Sequence, residues 1–429
     1  MSVGECVVLG VGRVARVDVL VVGAGAREHA LCRSLSLDEE VSALYCAPGN
    51  AGTADVATNT PVDAASPDAI AELAASLGVG LVVIGPEAPL VAGAADAVRA
   101  RGVPCFGPSA EAAELEGSKA FAKQVMAAAG VPTAMAHICE TAEEAAAALD
   151  AFGPPYVVKD DGLAAGKGVV VTENRDAALA HAAACGRVVI EEYLDGPEVS
   201  LFCITDGATV VPLVPAQDFK RVGDGDAGPN TGGMGAYSPL PWAPESLVDD
   251  VVRTVVQPTV NEMAGRGTPF SGLLYTGLAM TSRGMRVVEF NARFGDPETQ
   301  VVLARLLTPL GAVLRAAALG HLADLPDLRW TPEAAVTVVV AAENYPDTPR
   351  TGEPIEGLDA ANAVPDAYVL HAGTRLEGNR VVSAGGRVLS VVGTGADLAA
   401  ARAAAYTAVD RISLAGSHHR SDIAERAAG

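Results

Sequence analysis

Glu289 and Asn291 are the residues of this chain whose chemistry is simplest to state. They stand in the run Val287-Val288-Glu289-Phe290-Asn291. Strand alternation sends these two side chains to one face and Val288 and Phe290 to the other. A carboxylate and an amide carbonyl so placed suit Mg²⁺, which takes one or two protein oxygens and completes its shell with phosphate and water. An exposed polar strand face fits the same residues, so the pair needs context.

A second group could hold phosphate. Asp161-Gly162-Leu163-Ala164-Ala165-Gly166-Lys167-Gly168 combines small, mobile residues with one lysine, the ingredients of a loop that folds over a triphosphate with backbone N–H donors and a positive charge. It lacks the Gly-Lys-Ser/Thr ending of a Walker loop and lies between two β-rich runs, so a plain hairpin loop is equally compatible. Gly23-Ala24-Gly25-Ala26-Arg27-Glu28 approximates a dinucleotide fingerprint, but Glu28 stands where the third glycine belongs, and no acidic residue ends the next strand. A nicotinamide cofactor is therefore disfavoured, and an ordinary strand-to-helix turn remains open. Ile190 to Leu194, followed by Gly196-Pro197-Glu198, reads as a strand end, a turn and a new strand, and decides nothing alone.

The elements that must carry these groups are legible in outline. From Val17 the chain reads as strand, glycine turn and helix. Further apolar runs at 43–46 and 80–85, a helical stretch near 94–101 and one more short strand and turn within 102–108 predict a parallel α/β domain ending near residue 117. Residues 118–136 read as a helix. The hairpin-like pair at 156–173 and the later β-rich runs at 188–194, 198–205, 209–216, 273–281 and 286–291 predict a mixed middle region. The remainder repeats that texture on a smaller scale and ends in an Ala-rich helix at 397–412. The expected architecture is thus a multidomain α/β and α+β protein. A doubly wound parallel sheet spans 1–117, a central domain 118–320 with a glycine-loop lid at about 136–195, and a small α+β domain 321–429.

Composition limits the partners. The chain has 429 residues, enough for two to four domains, and a formal charge of −22. Such an acidic surface repels nucleic acid and anionic membranes, so any phosphate site must be built locally from clustered Lys and Arg, backbone N–H groups or a divalent cation. No apolar run approaches the ~20 residues of a bilayer span, and the mixed charges of the first residues fit a signal peptide poorly. The seven scattered cysteines form neither a zinc pattern nor a disulfide framework. These features point to a soluble, cytoplasmic protein that binds small molecules; with no apolar stripe to suggest otherwise, a monomer is expected.

The motifs in their order resemble the ATP-grasp superfamily and, within it, the phosphoribosylamine–glycine ligase family, over nearly the whole chain from Val17. The resemblance is carried by GAREHAL at 25–31, APGNAGT at 47–53, GPEAPLV at 85–91, GPSAEAAELEGSKAFAK at 107–123 and DGLAAGKGV at 161–169. IEEYLDGPE at 190–198, QDFKRVGDGDAGPNTGGMGAYSP at 217–239 and VEFNARFGDPETQ at 288–300 complete it. It implies an ATP-grasp central domain that ligates glycine to phosphoribosylamine through glycyl phosphate, with ATP as co-substrate and Mg²⁺ or Mn²⁺ as cofactor. Lys119 and Lys159 would contact the ATP phosphates, and Gly162, Gly166, Lys167 and Gly168 would cover them. Glu191 and Leu194 would meet adenine through main-chain atoms, Glu198 the ribose, and Glu289 and Asn291 the metal. Arg293, Asp218 and Lys220 would serve catalysis. Arg221, Asn230, Thr231, Gly232, Met234, Gly295, Asp296, Pro297 and Thr299 would line the acyl side of the cavity, and Gly25, Asn50, Thr53 and Glu87 would bind the amine substrate. Two alternatives remain: another purine-pathway ATP-grasp ligase, against which QDFKR and GPNTGGMGAY argue, and a catalytically silent nucleotide-binding protein, which Lys159, Lys167, Glu289, Asn291 and Arg293 disfavour.

The chain departs from that pattern in places. Residues 174–189 are short for the family, Asp160 stands where a small Ala is common, and Phe219 replaces a frequent His. Glu343-Asn344 replaces a frequent Gly pair, and Ala424 stands at a usual Gly. Residues 1–16 match nothing in the family and are expected to be either a mis-assigned start or a disordered extension.

Overall fold

Apolar residues on both faces of consecutive strands force the first region into a covered parallel sheet. In the computed structural model, which describes residues 16–163 and 168–429, strands Val17–Gly23, Val41–Pro48, Thr58–Asn59, Leu81–Ile84 and Cys105–Phe106 form that sheet, in the order third, second, first, fourth, fifth. Val19 to Val22 and Leu81 to Ile84 are all buried in it. The loops that follow its strands, around Gly25, Asn50 and Glu87, gather on one edge of the sheet, because parallel strands end there. Glu28 explains the failed fingerprint. Its Oε2 accepts the Gly25 N–H at 2.6 Å, and a Cβ at Gly23 or Gly85 would lie 2.5 or 2.0 Å from its side chain. The carboxylate therefore occupies the helix N-terminus where a pyrophosphate would otherwise sit.

Residues 136–191 build a small module with its own core. Strands Ala136–Cys139, Val188–Glu191, Tyr156–Asp160 and Val169–Thr172 pair antiparallel in that order. Helices Ala142–Phe152 and Arg175–Ala184 bury Leu149, Ala145 and Ala178 against Val158 and Ile190. Thr141 and Glu144 close a capping box on the first of these helices. The helix expected over 118–136 is shorter, Lys119–Ala129, because Gly130 adopts φ +67° and Pro132 follows.

A second antiparallel sheet orders strands Val210–Pro212, Glu198–Asp206, Ser271–Thr281 and Gly284–Asn291. The third sheet mixes regions. Gln217–Asp218 and Gly235–Ser238 from the middle of the chain pair onward to Ala334–Ala341, Arg387–Gly395 and Ala367–His371. The final region is thus stitched to the central one by backbone hydrogen bonds. Helix Leu398–Val409 lies against this sheet at Gly393, where a Cβ would come within 2.3 Å of the Ala401 carbonyl, so the Ala-rich composition serves close approach. No helix among the described residues is long and apolar enough to cross a membrane.

Candidate active site

The three regions meet around a cleft of about 1520 Å³. One wall comes from the small module and helix Lys119–Ala129. Asp161 fixes their relation: its carboxylate accepts from Ser118 Oγ and the Ala120 N–H, both at 3.0 Å, capping the helix, and pairs with Arg187 on its other oxygen. Lys119 then reaches the Gly162 carbonyl at 2.8 Å. Lys159 is buried on strand Tyr156–Asp160, with Nζ 3.0 Å from the Val288 carbonyl and 2.8 Å from Glu191 Oε2. The other Glu191 oxygen takes Lys123 Nζ at 2.9 Å, and Lys123 also donates to Thr133 Oγ1 and the Ala134 carbonyl. Burial pushes the Lys119 and Lys123 pKa values down, and Glu289 and Glu191 respectively oppose that most. Asp160 is not part of this wall: alternation turns it from Lys159 toward Cys185. Tyr193, Leu194, Val157, Val169 and Gly168 add an apolar end. Gly166 and Lys167 lie outside the described residues.

The facing wall is acidic. Glu289 and Asn291 leave strand Gly284–Asn291 on the same face, as alternation predicts, with Asn291 Nδ2 3.5 Å from Glu289 Oε1. Burial would raise the Glu289 carboxyl, but Lys220, Lys159 and Arg293 outweigh it and hold it below the usual range. Lys220 bonds Glu198 at 2.5 Å. Asp218, which ends the short strand Gln217–Asp218 two residues before Lys220, is pushed up to about 7 by burial, while Lys220 opposes and Glu298, Glu198 and Glu289 reinforce the rise. Glu298 is buried and accepts from Ser200 Oγ at 2.9 Å.

Arg293 closes the cleft toward the first sheet. Its Nε is 3.2 Å from Glu87 and its Nη2 is 3.0 Å from Glu116, and Glu116 also accepts the Ala292 N–H at 2.7 Å. Burial lowers the Arg293 pKa tendency, but Glu116 and Glu87 reverse it and hold the guanidinium charged. Beside it, Asp296 is held ionised against burial by Arg387 and Arg27.

Arg221, Asn230, Thr231 and Gly232 also line the cleft. Gly25, Asn50, Thr53, Met234, Gly295, Pro297 and Thr299 do not belong to its lining. Asn50 and Thr53 spend their side chains on the loop itself: Asn50 Oδ1 accepts the Gly52 and Thr53 N–H groups, its Nδ2 donates to the Ala24 and His371 carbonyls, and Thr53 Oγ1 donates to Asn59. Thr299 Oγ1 bonds the Gly295 carbonyl one helical turn back at 2.6 Å, and Met234 is fully buried. These residues shape the walls. Lys123, Glu116, Arg27, Arg387 and Glu298 enter the cleft without being singled out by the motifs. Lys123 carries a signal, one helical turn beyond Lys119 on the same face; Arg27 and Arg387 meet it only through contacts distant in sequence.

No cluster of three or more His, Cys, Asp or Glu suited to a metal occurs among the described residues. The donors present, one carboxylate and one amide facing a wall of lysines, fit a hard cation that draws the rest of its shell from phosphate and water. Turning the Asn291 amide would present its oxygen beside Glu289.

Comparison with known proteins agrees in all three regions. Residues 17–116, 117–299 and 335–426 match, in turn, the N, ATP-grasp (A) and C domains described as phosphoribosylglycinamide synthetase. The phosphoribosylamine–glycine ligase of Streptomyces coelicolor is 72% identical over 413 residues, 96% of this chain and 99% of the relative. That of Mycobacterium tuberculosis is 60% identical over 420 residues, 96% of this chain and 98% of the relative. The crystal structure of phosphoribosylamine–glycine ligase from Thermotoga maritima aligns with a TM-score of 0.81 at 32% identity, over 95% of this chain and 100% of that one.

Proposed function

This chain belongs to the phosphoribosylglycinamide synthetase family, whose N, ATP-grasp and C domains it carries in order, and on that premise we propose how its cleft joins glycine to 5-phosphoribosylamine. The protein is an ATP-dependent carboxylate–amine ligase of purine biosynthesis. The observation that carries the site assignment is the opposition of two walls, lysines on one and Glu289 with Asn291 on the other, in a chain of net charge −22.

The triphosphate lies along Lys119 and Lys159, beside Gly162 and Gly168, with adenine against Tyr193 and Leu194. Glu198 accepts from the ribose hydroxyls. Glu289 and Asn291 would hold a divalent cation, Mg²⁺ or Mn²⁺, which would supply charge neutralisation for the phosphates. A glycine carboxylate oxygen attacks the γ-phosphorus, the bond to the ADP oxygen breaks, and glycyl phosphate forms. The attack brings anion toward anion, so catalysis here is largely positioning and electrostatics. Arg293, locked by Glu87 and Glu116, keeps its charge beside the acyl group. The amine nitrogen of the second substrate then attacks the acyl carbon, phosphate leaves, and the nitrogen loses a proton. Asp218, whose carboxyl burial raises to about 7 beside Lys220, takes that proton.

The test is ADP release by purified protein with ATP, Mg²⁺, glycine and freshly generated phosphoribosylamine, omitting one component at a time. Release that needs both glycine and the amine, and collapses in Glu289→Ala, is expected. Turnover with a different acid or amine would overturn the substrate assignment while keeping the ligase chemistry.

A further inference from the structure

Two guanidinium groups at the junction of the three regions have no task in the chemistry above. Arg387 begins strand Arg387–Gly395 of the C-terminal region, and Arg27 lies in helix Ala26–Ser36 of the first. Both line the cleft, and both grip one segment of the central region from outside. Arg27 Nη1 donates to the Phe294 carbonyl at 3.1 Å, and Arg387 Nη1 donates to the Asp296 carbonyl at 2.7 Å, two residues further on.

Arg387 is oriented for a ligand. Its Nη1 is consumed by the Asp296 and Gly232 carbonyls, both at 2.7 Å, which fixes the plane of the group. One face is covered by Gly232, where a Cβ would lie 3.0 Å from Cζ and 3.2 Å from Nε and Nη2. Among the described residues the remaining edge meets only Asp296 Oδ2, at a long 3.4 Å from Nη2. An Nε–Nη2 edge held this way matches two oxygens of a phosphate. Arg27 shares its Nε with Glu28 at 2.5 Å.

Asp296 sits between the two. Gln300 Nε2 donates to its Oδ1 at 2.8 Å and sets the carboxylate. A Cβ at Gly25 would lie 3.6 Å from its Oδ2, so the glycine turn of the first sheet closes directly over it. Such a carboxylate, flanked by arginines, is an acceptor for sugar hydroxyls. The position along the cleft is defined by shared neighbours. Lys159 is anchored at 3.0 Å to the Val288 carbonyl beside Glu289, whereas Arg293 Nη1 donates at 3.2 Å to the same Phe294 carbonyl that Arg27 takes, two residues from Asp296. Arg293 therefore stands between the nucleotide wall and this junction, and a phosphate held here belongs to the second substrate.

Resting on the ligase reading, we propose that Arg387 and Arg27 bind the phosphate of the ribosyl phosphate substrate, with Asp296 accepting from its sugar hydroxyls. The C-terminal region thereby contributes a specificity residue to a site otherwise built by the other two.

Ribose 5-phosphate tests this without turnover. Its binding to the full-length protein is measured by calorimetry beside ribose and ATP, for wild type, Arg387→Met, Arg387→Lys and Arg27→Met. The expected result is that ribose 5-phosphate binds wild type more tightly than ribose does. Its affinity should fall about tenfold or more in both Met variants and by less in Arg387→Lys, the scale of losing a bidentate charged pair, with ATP affinity retained as the check on folding. Equal binding of ribose 5-phosphate by wild type and Arg387→Met, no preference over ribose, or a parallel loss of ATP binding in every variant including Arg387→Lys would overturn the proposal. Loss confined to the sugar phosphate, in a protein that releases no ADP with glycine and phosphoribosylamine, would instead keep this subsite and remove the ligase reading.

Discussion

The seam between the first and last regions makes stability depend on two histidines remaining neutral. His29 Nδ1 accepts the His371 N–H at 2.9 Å, so that nitrogen carries no proton, and the two rings lie 5.8 Å apart. Both are buried. Burial, then His371 and Arg33, bring the His29 pKa down to about 3; burial brings His371 to about 4, with Asp55 opposing. Unfolded, each titrates near ~6.5. Between these values the unfolded chain binds more protons than the folded one, so the contribution is full above about pH 6.5 and is lost as pH falls toward 4 and 3. About pH 5 lies roughly 1.5 units below the free value, and at ~1.4 kcal/mol per unit each ring costs about 2 kcal/mol, or about 4 for the pair. Urea unfolding at about pH 7.5 and 5, for wild type and the double variant His29→Gln, His371→Gln, isolates this share from the carboxylates, which both proteins retain. The variant should be less stable at the higher pH but lose markedly less on acidification. An identical loss in both proteins would refute the reasoning.

Two further perturbations address the cleft. Lys123→Met leaves Glu191 with Lys159 alone, and breaking one arm of this buried triad should cost about 3 kcal/mol and raise KM for ATP about tenfold, with kcat nearly kept; unchanged ATP kinetics would show that Lys123 does not position Lys159. Asp218→Asn should lower kcat on the order of 100-fold while leaving KM for ATP near wild type; a kcat within about threefold would remove Asp218 from proton transfer.

Legibility in the sequence followed the range of the interaction. Strand alternation placed Glu289 and Asn291 together because a two-residue period is local. The capping box at Thr141 and the stop at Gly130 are equally local, yet the helix expected over 118–136 ran past that stop. Arg27 was opaque because its partner carbonyl is 267 residues away, and Arg387 because its role depends on a sheet that recruits Gln217–Asp218 and Gly235–Ser238 into the final region. The departures from the family pattern have a backbone reason in two places. Asn344 and Ala424, where glycine is usual, both take left-handed conformations, φ +68° and +60°. Asn tolerates that region through its short polar side chain, whereas Ala bears the Cβ penalty of roughly 1–2 kcal/mol. Ala424 is held there by burial and by the neighbouring anchor of Arg420 to Asp422 and Asp226. Phe219 keeps a role in that anchor, its ring lying 4.8 Å from the Arg420 guanidinium.

The two walls of the cleft also explain how so acidic a chain can accept a triphosphate. Lys119, Lys123 and Lys159 against Glu191 leave two formal positive charges on the nucleotide wall, and Lys119 meets a carbonyl, with no carboxylate in salt-bridge range among the described residues. Opposite, Glu289, Glu298 and Glu198 against Lys220 leave two formal negative charges, and three once Asp218, whose carboxyl titrates near about 7, is ionised, with Arg293 already shared between Glu87 and Glu116. Phosphate alone is attracted to the first wall and repelled by the second. A divalent cation held by Glu289 and Asn291 would offset the second repulsion by neutralising charge between the carboxylates and the phosphates. On the proposed reading, nucleotide binding across the cleft would be conditional on the cation, whereas contact with the lysine wall alone would not. Removing Glu289 should thus abolish metal-linked tightening of ATP binding while leaving the weak, metal-independent component that the lysines supply.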